Sequence, residues 1–118
     1  YFDAPAVQAA NSGYASLGCN GKRALPDVAM DANSNSGVYV YYSYECASPP
    51  NCYFQIGGTS LAAPLFAARA AIRGAVVNVT YVYGNHIQFR DIVMGSNGFA
   101  CKTGLDLVTG LGSWIGDL

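Results

Sequence analysis

Charged residues are scarce in this chain. Only 11% of the 118 residues are charged, whereas an average soluble domain carries about 25%. Hydrophobic residues make up 52%, so the chain has too few charges to cover its own surface, and we expect an apolar face that a partner or a larger assembly buries. The formal net charge is −1 without any run of like charges. Nothing therefore indicates a nucleic-acid partner, and the charge balance argues against an anionic membrane surface.

Long apolar runs and zinc-binding spacings are also missing. No hydrophobic stretch reaches the length of a membrane span, so we expect no membrane partner. The four cysteines include no Cys-x-x-Cys pair, and the one histidine, His86, is far from all of them, which leaves a zinc site poorly supported. The even number of cysteines instead indicates two disulfides and an oxidising compartment.

The positions of the cysteines suggest a pairing. Cys46 and Cys52 flank a loop tip between two strand-like runs. We expect a disulfide that closes this hairpin, which leaves Cys19 to pair with Cys101. Asn78-Val79-Thr80 is an acceptor sequence for N-linked glycosylation and agrees with secretion.

Hydrophobic patterning predicts a small set of helices and strands. They are a helix from Pro5 to Ala10, a buried strand from Ala24 to Met30, a hairpin of Val38 to Tyr44 with Tyr53 to Ile56, a buried central helix from Leu61 to Ile72, and a β-prone run from Val76 to Tyr83. Such elements bury too little apolar surface on their own. We therefore expect residues 1–118 to be a fragment, or one chain, of a larger assembly.

The most informative motif is Gly57-Gly58-Thr59-Ser60-Leu61-Ala62-Ala63-Pro64, between the hairpin and the central helix. Two glycines predict a sharp turn that leads from strand into helix. A hydroxyl in the first turn of the helix lies near free backbone N–H groups, which stabilise developing negative charge. Ser60 is therefore a candidate nucleophile, and the alternative is that it only caps the helix N-terminus.

Four motifs, in this order, resemble those of the sedolisins, the serine-carboxyl peptidases. They are Arg23-Ala24-Leu25-Pro26-Asp27-Val28-Ala29, the Gly57 to Pro64 motif, Phe89-Arg90-Asp91-Ile92 followed by Gly95-Ser96-Asn97-Gly98, and Gly104-Leu105-Asp106-Leu107-Val108-Thr109-Gly110-Leu111-Gly112. The resemblance implies a subtilisin-like α/β fold with a parallel sheet and a buried nucleophile helix, of which this chain is the C-terminal portion.

By this resemblance, Ser60 is the nucleophile of a peptidase that acts at acidic pH. The family uses a Glu as general base, an Asp that assists it, and another Asp in the oxyanion hole. A carboxylate remains partly ionised at about pH 4, where imidazole is protonated and is no longer a base. A protonated Asp is able to donate a hydrogen bond to the oxyanion.

No residue of this chain matches those three carboxyl groups. Asp27 and Asp31 belong to the Pro-Asp-Val segment and are expected to be structural, and Glu45 is expected to be solvated in the hairpin loop. His86 follows the serine, which is the wrong order for a subtilisin triad. We therefore expect an N-terminal chain of the same peptidase as partner, a peptide or protein as substrate, and no activity from this chain alone.

The resemblance also implies a calcium site. Its ligands would be the side chains of Asp91 and Asp106 and the carbonyls of Ile92, Lys102 and Gly104. These are the hard oxygen ligands that calcium prefers. The alternative is that the two aspartates only cap turns.

Two other functions remain open. A subtilisin-type peptidase would take His and Asp from upstream and work at neutral to alkaline pH, and a non-catalytic secreted module would keep only the calcium loop. We favour a serine-type endopeptidase or tripeptidyl peptidase that is secreted or resides in a lysosome-like acidic compartment.

Overall fold

The computed structural model of the chain describes residues 2–44 and 46–116. The chain divides into two compact units. The hairpin unit is Met30–Gly74, and the loop unit contains the residues up to Ala29 and those from Ala75 onward. The helices are α1 (Ala6–Ala9), α2 (Thr59–Arg73) and α3 (Val79–Gly84), the strands are β1 (Val38–Tyr41), β2 (Tyr53–Ile56), β3 (Phe89–Arg90) and β4 (Ser113–Trp114), and 3-10 turns cover Tyr14–Leu17 and His86–Gln88.

An antiparallel pair, β1 and β2, begins the hairpin unit. Val38 lies opposite Ile56 and Tyr41 opposite Tyr53, and the two tyrosine rings meet edge to face at 5.3 Å. Such β-branched and aromatic cross-strand pairs favour strands. The disulfide between Cys46 and Cys52 closes the loop between them, so the predicted hairpin and its disulfide are confirmed.

Helix α2 follows the hairpin and matches the predicted helix, with two more residues at its start and one at its end. Alanine, leucine and arginine are strong helix formers, and Gly74 ends the helix in a left-handed conformation. The helix was expected to be buried, but Leu61 is the only buried residue of α2, and Ile72 is 68% exposed. The helix therefore presents an almost uncharged surface.

A buried polar network around Gln8 holds the loop unit together. Helix α1 packs against α3, and Gln8 between them is fully buried. Its Oε1 accepts from the Ala24 N–H at 3.0 Å, and its Nε2 donates to the Ala24 carbonyl at 2.9 Å and to the Tyr83 hydroxyl at 2.7 Å. Burial raises the pKa of Tyr83 to about 12, so the phenol stays neutral.

The second antiparallel pair, β3 and β4, stacks the Phe89 ring against Trp114 at 5.4 Å. Ala29 joins this pair through a parallel bridge to Ser113. Both two-stranded sheets are antiparallel, so the parallel sheet implied by the family resemblance is not seen in the described part of the chain.

Two other expectations were wrong. Residues 76–83 contain helix α3 and no strand, because Asn78 caps the helix by accepting from the Tyr81 N–H at 2.9 Å. The predicted strand from Ala24 to Met30 is reduced to the bridge at Ala29, because the Gln8 side chain forms hydrogen bonds with both backbone groups of Ala24.

In residues 2–44 and 46–116, no helix has the length and apolarity needed to cross a membrane.

The second predicted disulfide is also wrong in this structure. Cys19 and Cys101 are both free and half-buried. The Cys19 thiol points to the Leu17 carbonyl of its own turn, at 3.9 Å. Burial, together with the negative charges of Asp106 and Asp91, raises the pKa of the Cys101 thiol.

Candidate functional site

The glycine turn before α2 places Ser60 at the helix N-terminus. Gly58 is the N-cap residue, so Ser60 is the second residue of the helix and not its cap. Ser60 is exposed, and among the described residues its hydroxyl has no hydrogen-bond partner. The hydroxyl is therefore available for chemistry.

Backbone geometry explains the two glycines. Gly58 has φ +88° and ψ 166°, a conformation that is essentially restricted to glycine. A Cβ on Gly57 would lie 2.5 Å from the Ser34 nitrogen, and the Gly58 N–H donates to the Ala32 carbonyl at 2.6 Å. The turn that carries Ser60 thus rests directly on the backbone of residues 32–34.

Free N–H groups surround the start of α2. The N–H groups of Leu61 and Ala62 both donate to the Gly58 carbonyl, at 2.9 and 3.2 Å. The N–H groups of Thr59 and Ser60 have no partner in the part of the chain that the structure describes. Together with the helix dipole, these two donors would stabilise an anion placed beside the Ser60 hydroxyl.

The other candidate side chains have structural surroundings. Asp27 pairs with Arg23, four residues earlier. Asp31 accepts from the Asn33 N–H at 3.1 Å and from the Ser36 hydroxyl at 3.0 Å, which shapes the turn beneath Gly57. His86 is exposed at the start of a 3-10 turn. Glu45 lies outside the described residues.

Asp106 organises the proposed calcium loop. The side chain is 1% exposed; its Oδ1 accepts from the N–H groups of Val108 and Thr109 at 2.9 and 2.7 Å, and its Oδ2 accepts from the Lys102 N–H at 3.1 Å. Burial favours a higher pKa for Asp106, but these donors and the Thr109 hydroxyl outweigh it and lower the pKa below its ordinary value. Asp106 is therefore held ionised.

Asp91 binds the same short segment. Its Oδ2 accepts from the Gly104 N–H at 2.8 Å, so the two carboxylates both contact residues 102–104. The Lys102 ammonium bonds instead to the Ser16 carbonyl and hydroxyl, at 3.2 and 2.9 Å. The lysine charge is thus engaged away from the two carboxylates.

The residues present fit calcium by the chemistry of their donors. In the described chain the carbonyls of Ile92, Lys102 and Gly104 accept no hydrogen bond. Ile92 follows Asp91, and the N–H groups of Lys102 and Gly104 donate to the two carboxylates, so these segments offer three unpaired main-chain oxygens. No group of three or more His, Cys, Asp or Glu side chains able to hold a metal occurs there. A cation at this place would therefore depend on main-chain oxygens, which suits calcium better than zinc.

Sequence reasoning missed the support behind this loop. The Asp27 carbonyl accepts from the Leu111 N–H at 2.8 Å, and the Ala29 N–H donates to the Gly112 carbonyl at 3.0 Å. Gly110 is required here because a Cβ would lie 2.2 Å from the Asp27 oxygen. The Gln8 network holds the other side of the Asp27 segment, and no local sequence signal marks Gln8, since its partners are distant along the chain.

Comparison with known proteins points to one group of peptidases, although no family model matches the chain. Xanthomonalisin of Xanthomonas sp. (strain T-22) is 32% identical over an alignment of 133 residues, which covers 94% of this chain and 14% of that protein. Tripeptidyl-peptidase sed1 of Aspergillus fumigatus is 42% identical over 111 residues, covering 77% of this chain and 15% of that protein. The chain thus spans about a seventh of the length of these curated relatives.

A solved structure agrees with these relatives. Pseudomonas sedolisin, a serine-carboxyl proteinase complexed with two molecules of pseudo-iodotyrostatin, superposes with a TM-score of 0.69 and 28% identity. The match covers 97% of this chain and 32% of that protein. The likeness therefore extends through nearly all of this chain and is confined to one part of the larger molecule.

Proposed function

Because this chain belongs to the sedolisin family, we propose that it carries the nucleophile of a serine-carboxyl peptidase that hydrolyses peptide bonds at acidic pH. Ser60 is that nucleophile. The carrying observation is its exposed and unpartnered hydroxyl beside the two free N–H groups at the start of α2.

The reaction runs through an acyl-enzyme. A carboxylate base takes the proton of the Ser60 hydroxyl as its Oγ bonds to the scissile carbonyl carbon. The amine leaves with a proton, and water then cleaves the ester and restores the serine. The Glu base, its Asp neighbour and the oxyanion Asp come from the remainder of the peptidase, as does the subtilisin-like parallel sheet.

The composition of the α2 surface suggests that another part of the peptidase covers this helix. Of its 15 residues only Arg69 and Arg73 are charged, and apart from Leu61 the helix is at least partly exposed. A surface of this composition favours burial against another apolar surface. We therefore propose an N-terminal portion of the same peptidase as the partner and expect this chain alone to be inactive.

The test uses the complete peptidase with Ser60→Ala. We expect peptide hydrolysis to fall by several orders of magnitude, as for removal of other serine nucleophiles. Ser43→Ala, which alters an exposed serine of the same hairpin unit, is the matched control and should retain activity. Hydrolysis that persists in Ser60→Ala would refute the assignment.

The pH profile separates this function from its alternatives. A carboxylate base gives activity that persists at about pH 4, whereas a His base loses it below its own pKa of about 6.5. A profile that requires neutral or alkaline pH would identify a subtilisin-type peptidase. No hydrolysis at any pH, with no labelling by serine-directed probes, would identify a non-catalytic module. Sequencing the released products distinguishes an endopeptidase from a tripeptidyl peptidase.

We also propose that the segments around Asp91 and Asp106 bind calcium, with the carbonyls of Ile92, Lys102 and Gly104. The ion would fix these loops by neutralising the two carboxylates. Calorimetry with calcium should show one site in the complete protein, lost in Asp91→Asn. Asp3→Asn removes an exposed carboxylate that pairs with Lys22 and should leave binding unchanged. Absence of binding in the wild type would favour the turn-capping alternative.

A secreted or lysosome-like acidic location follows from the same proposal. A carboxylate base is suited to an acidic compartment, and the disulfide between Cys46 and Cys52 is typical of oxidising surroundings. Fractionation of the source cells tests this, and recovery of the protein only in a reducing, neutral compartment would refute it.

A further inference from the structure

We propose that Asn78 is an acceptor for an N-linked glycan. Asn78-Val79-Thr80 is the only Asn-x-Ser/Thr sequence in the chain, and its middle residue is not proline. The peptidase chemistry of Ser60 and the proposed calcium loop use none of these three residues.

The two ends of the Asn78 amide have different surroundings. The Oδ1 atom accepts from the Tyr81 N–H at 2.9 Å. The Nδ2 atom has no hydrogen-bond partner in residues 2–44 and 46–116, and Asn78 is exposed. The atom that would carry the sugar is therefore the free one, while the atom that caps α3 stays an acceptor after modification.

Thr80 also meets the requirements of the acceptor sequence. The residue is exposed, and in the described chain its hydroxyl has no hydrogen-bond partner. Asn78 itself has extended backbone angles, φ −126° and ψ −179°. A glycan at this position would therefore displace no side-chain hydrogen bond of the described residues.

The covalent step needs a lipid-linked oligosaccharide pyrophosphate as donor. A transferase of the secretory pathway joins the Asn78 Nδ2 to the anomeric carbon of the sugar, and the carbon–oxygen bond to the pyrophosphate breaks. The lipid pyrophosphate leaves, and the amide nitrogen loses one proton. No oxidation or reduction takes place.

Secretory expression of the complete protein in a eukaryotic host tests the proposal. Secreted and cell-retained fractions are both digested with a glycosidase that leaves aspartate in place of a glycosylated asparagine, and peptide mass spectrometry reads position 78. We expect a glycan on the wild type and on Thr80→Ser, which keeps the hydroxyl. We expect none on Thr80→Ala.

Asn78→Asp is the structural control, because its carboxylate retains the helix cap but offers no amide nitrogen. It should fold like the wild type and carry no glycan. An unmodified wild type, while the host's own glycoproteins are modified, would overturn the proposal, as would a glycan that persists on Thr80→Ala. Neither outcome depends on peptidase activity, so failure here is distinguishable from failure of the Ser60 assignment.

Discussion

At the scale of single residues, Gln8 shows how one buried amide joins three separate parts of the chain. Its side chain is fully buried, and both its oxygen and its nitrogen are bonded. Substitution would leave the Ala24 N–H unpaired and would break the bonds that Gln8 makes to the Ala24 carbonyl, which still accepts from Arg23, and to the Tyr83 hydroxyl. Each buried group left unpaired costs about 1–3 kcal/mol.

Gln8→Leu should therefore lower the free energy of unfolding by about 3 kcal/mol. Urea denaturation measures the change. Gln55→Leu removes an exposed glutamine that donates to the Asn35 carbonyl, and it should change stability by less than about 0.5 kcal/mol. Equal effects of the two substitutions would show that the network around Gln8 adds no stability.

Asp106 should make stability depend on acidity. Its pKa is lowered in the fold, so its ionised form stabilises the protein above the ordinary aspartate pKa of about 3.9. That contribution disappears as the pH falls through this value towards the lower pKa of the folded state.

In the presence of a calcium chelator, the wild type should lose stability between about pH 5 and about pH 3. Asp106→Asn has no carboxyl to titrate and places an N–H₂ group against backbone donors. It should be less stable than the wild type at neutral pH, with a difference that narrows on acidification. Denaturant titrations across this range measure the effect, and a constant difference would contradict it.

At the scale of elements, the turn before α2 depends on a missing Cβ. A methyl group at Gly57 would collide with the Ser34 backbone. Backbone atoms are not able to move aside as the end of a flexible side chain does. Gly84, the last residue of α3, has open space at the same position and no positive φ.

Gly57→Ala should lower the free energy of unfolding by about 1–3 kcal/mol, as other overpacked substitutions do. It should also reduce the activity of the complete peptidase, because the turn that carries Ser60 must shift. Gly84→Ala should leave both nearly unchanged. Calorimetric unfolding and peptide hydrolysis are the measurements. If Gly57→Ala changes neither stability nor activity, the turn is able to accommodate the methyl group without strain.

Local sequence patterns correctly predicted those elements that are stabilised by residues close together in the sequence. Cross-strand pairs and two cysteines specify the hairpin, and the Ala-rich run specifies α2. Helix α3 was missed because its β-branched and aromatic residues favour strands, while the Asn78 cap and the contact between Gln8 and Tyr83 stabilise the helix. Motifs located the residues of the candidate site, but the support that Leu111 receives from Asp27 comes from a distant segment and has no local signal.

At the scale of the whole molecule, the exposed surface of α2 is the feature that most requires an explanation. Ile72 is 68% exposed near the end of an almost uncharged helix. Burial of such a side chain is worth about 1.5–3 kcal/mol, so the N-terminal portion that we propose as partner should stabilise the protein by covering it.

Ile72→Asp in the complete peptidase should therefore lower the free energy of unfolding by about 3 kcal/mol, and Ile72→Val by about 1 kcal/mol. A larger loss of stability in Ile72→Asp than in Ile72→Val would show that the effect comes from lost apolar burial and not from any change at this position. Thermal and denaturant unfolding give the values. If neither variant is destabilised, this part of the helix stays in contact with water in the complete enzyme.

The division into two units also predicts the order in which the elements form during folding. The contact between Gln8 and Tyr83 joins residues 75 positions apart, and the contact between Ser16 and Lys102 spans 86. The hairpin unit lies between these partners along the chain, and its two strands are joined by a short loop. Because distant contacts require closure of a long loop first, β1 and β2 should gain protection from hydrogen exchange earlier during refolding than α1 and α3. During synthesis the first helix must likewise wait for most of the chain before it meets the partners that hold it.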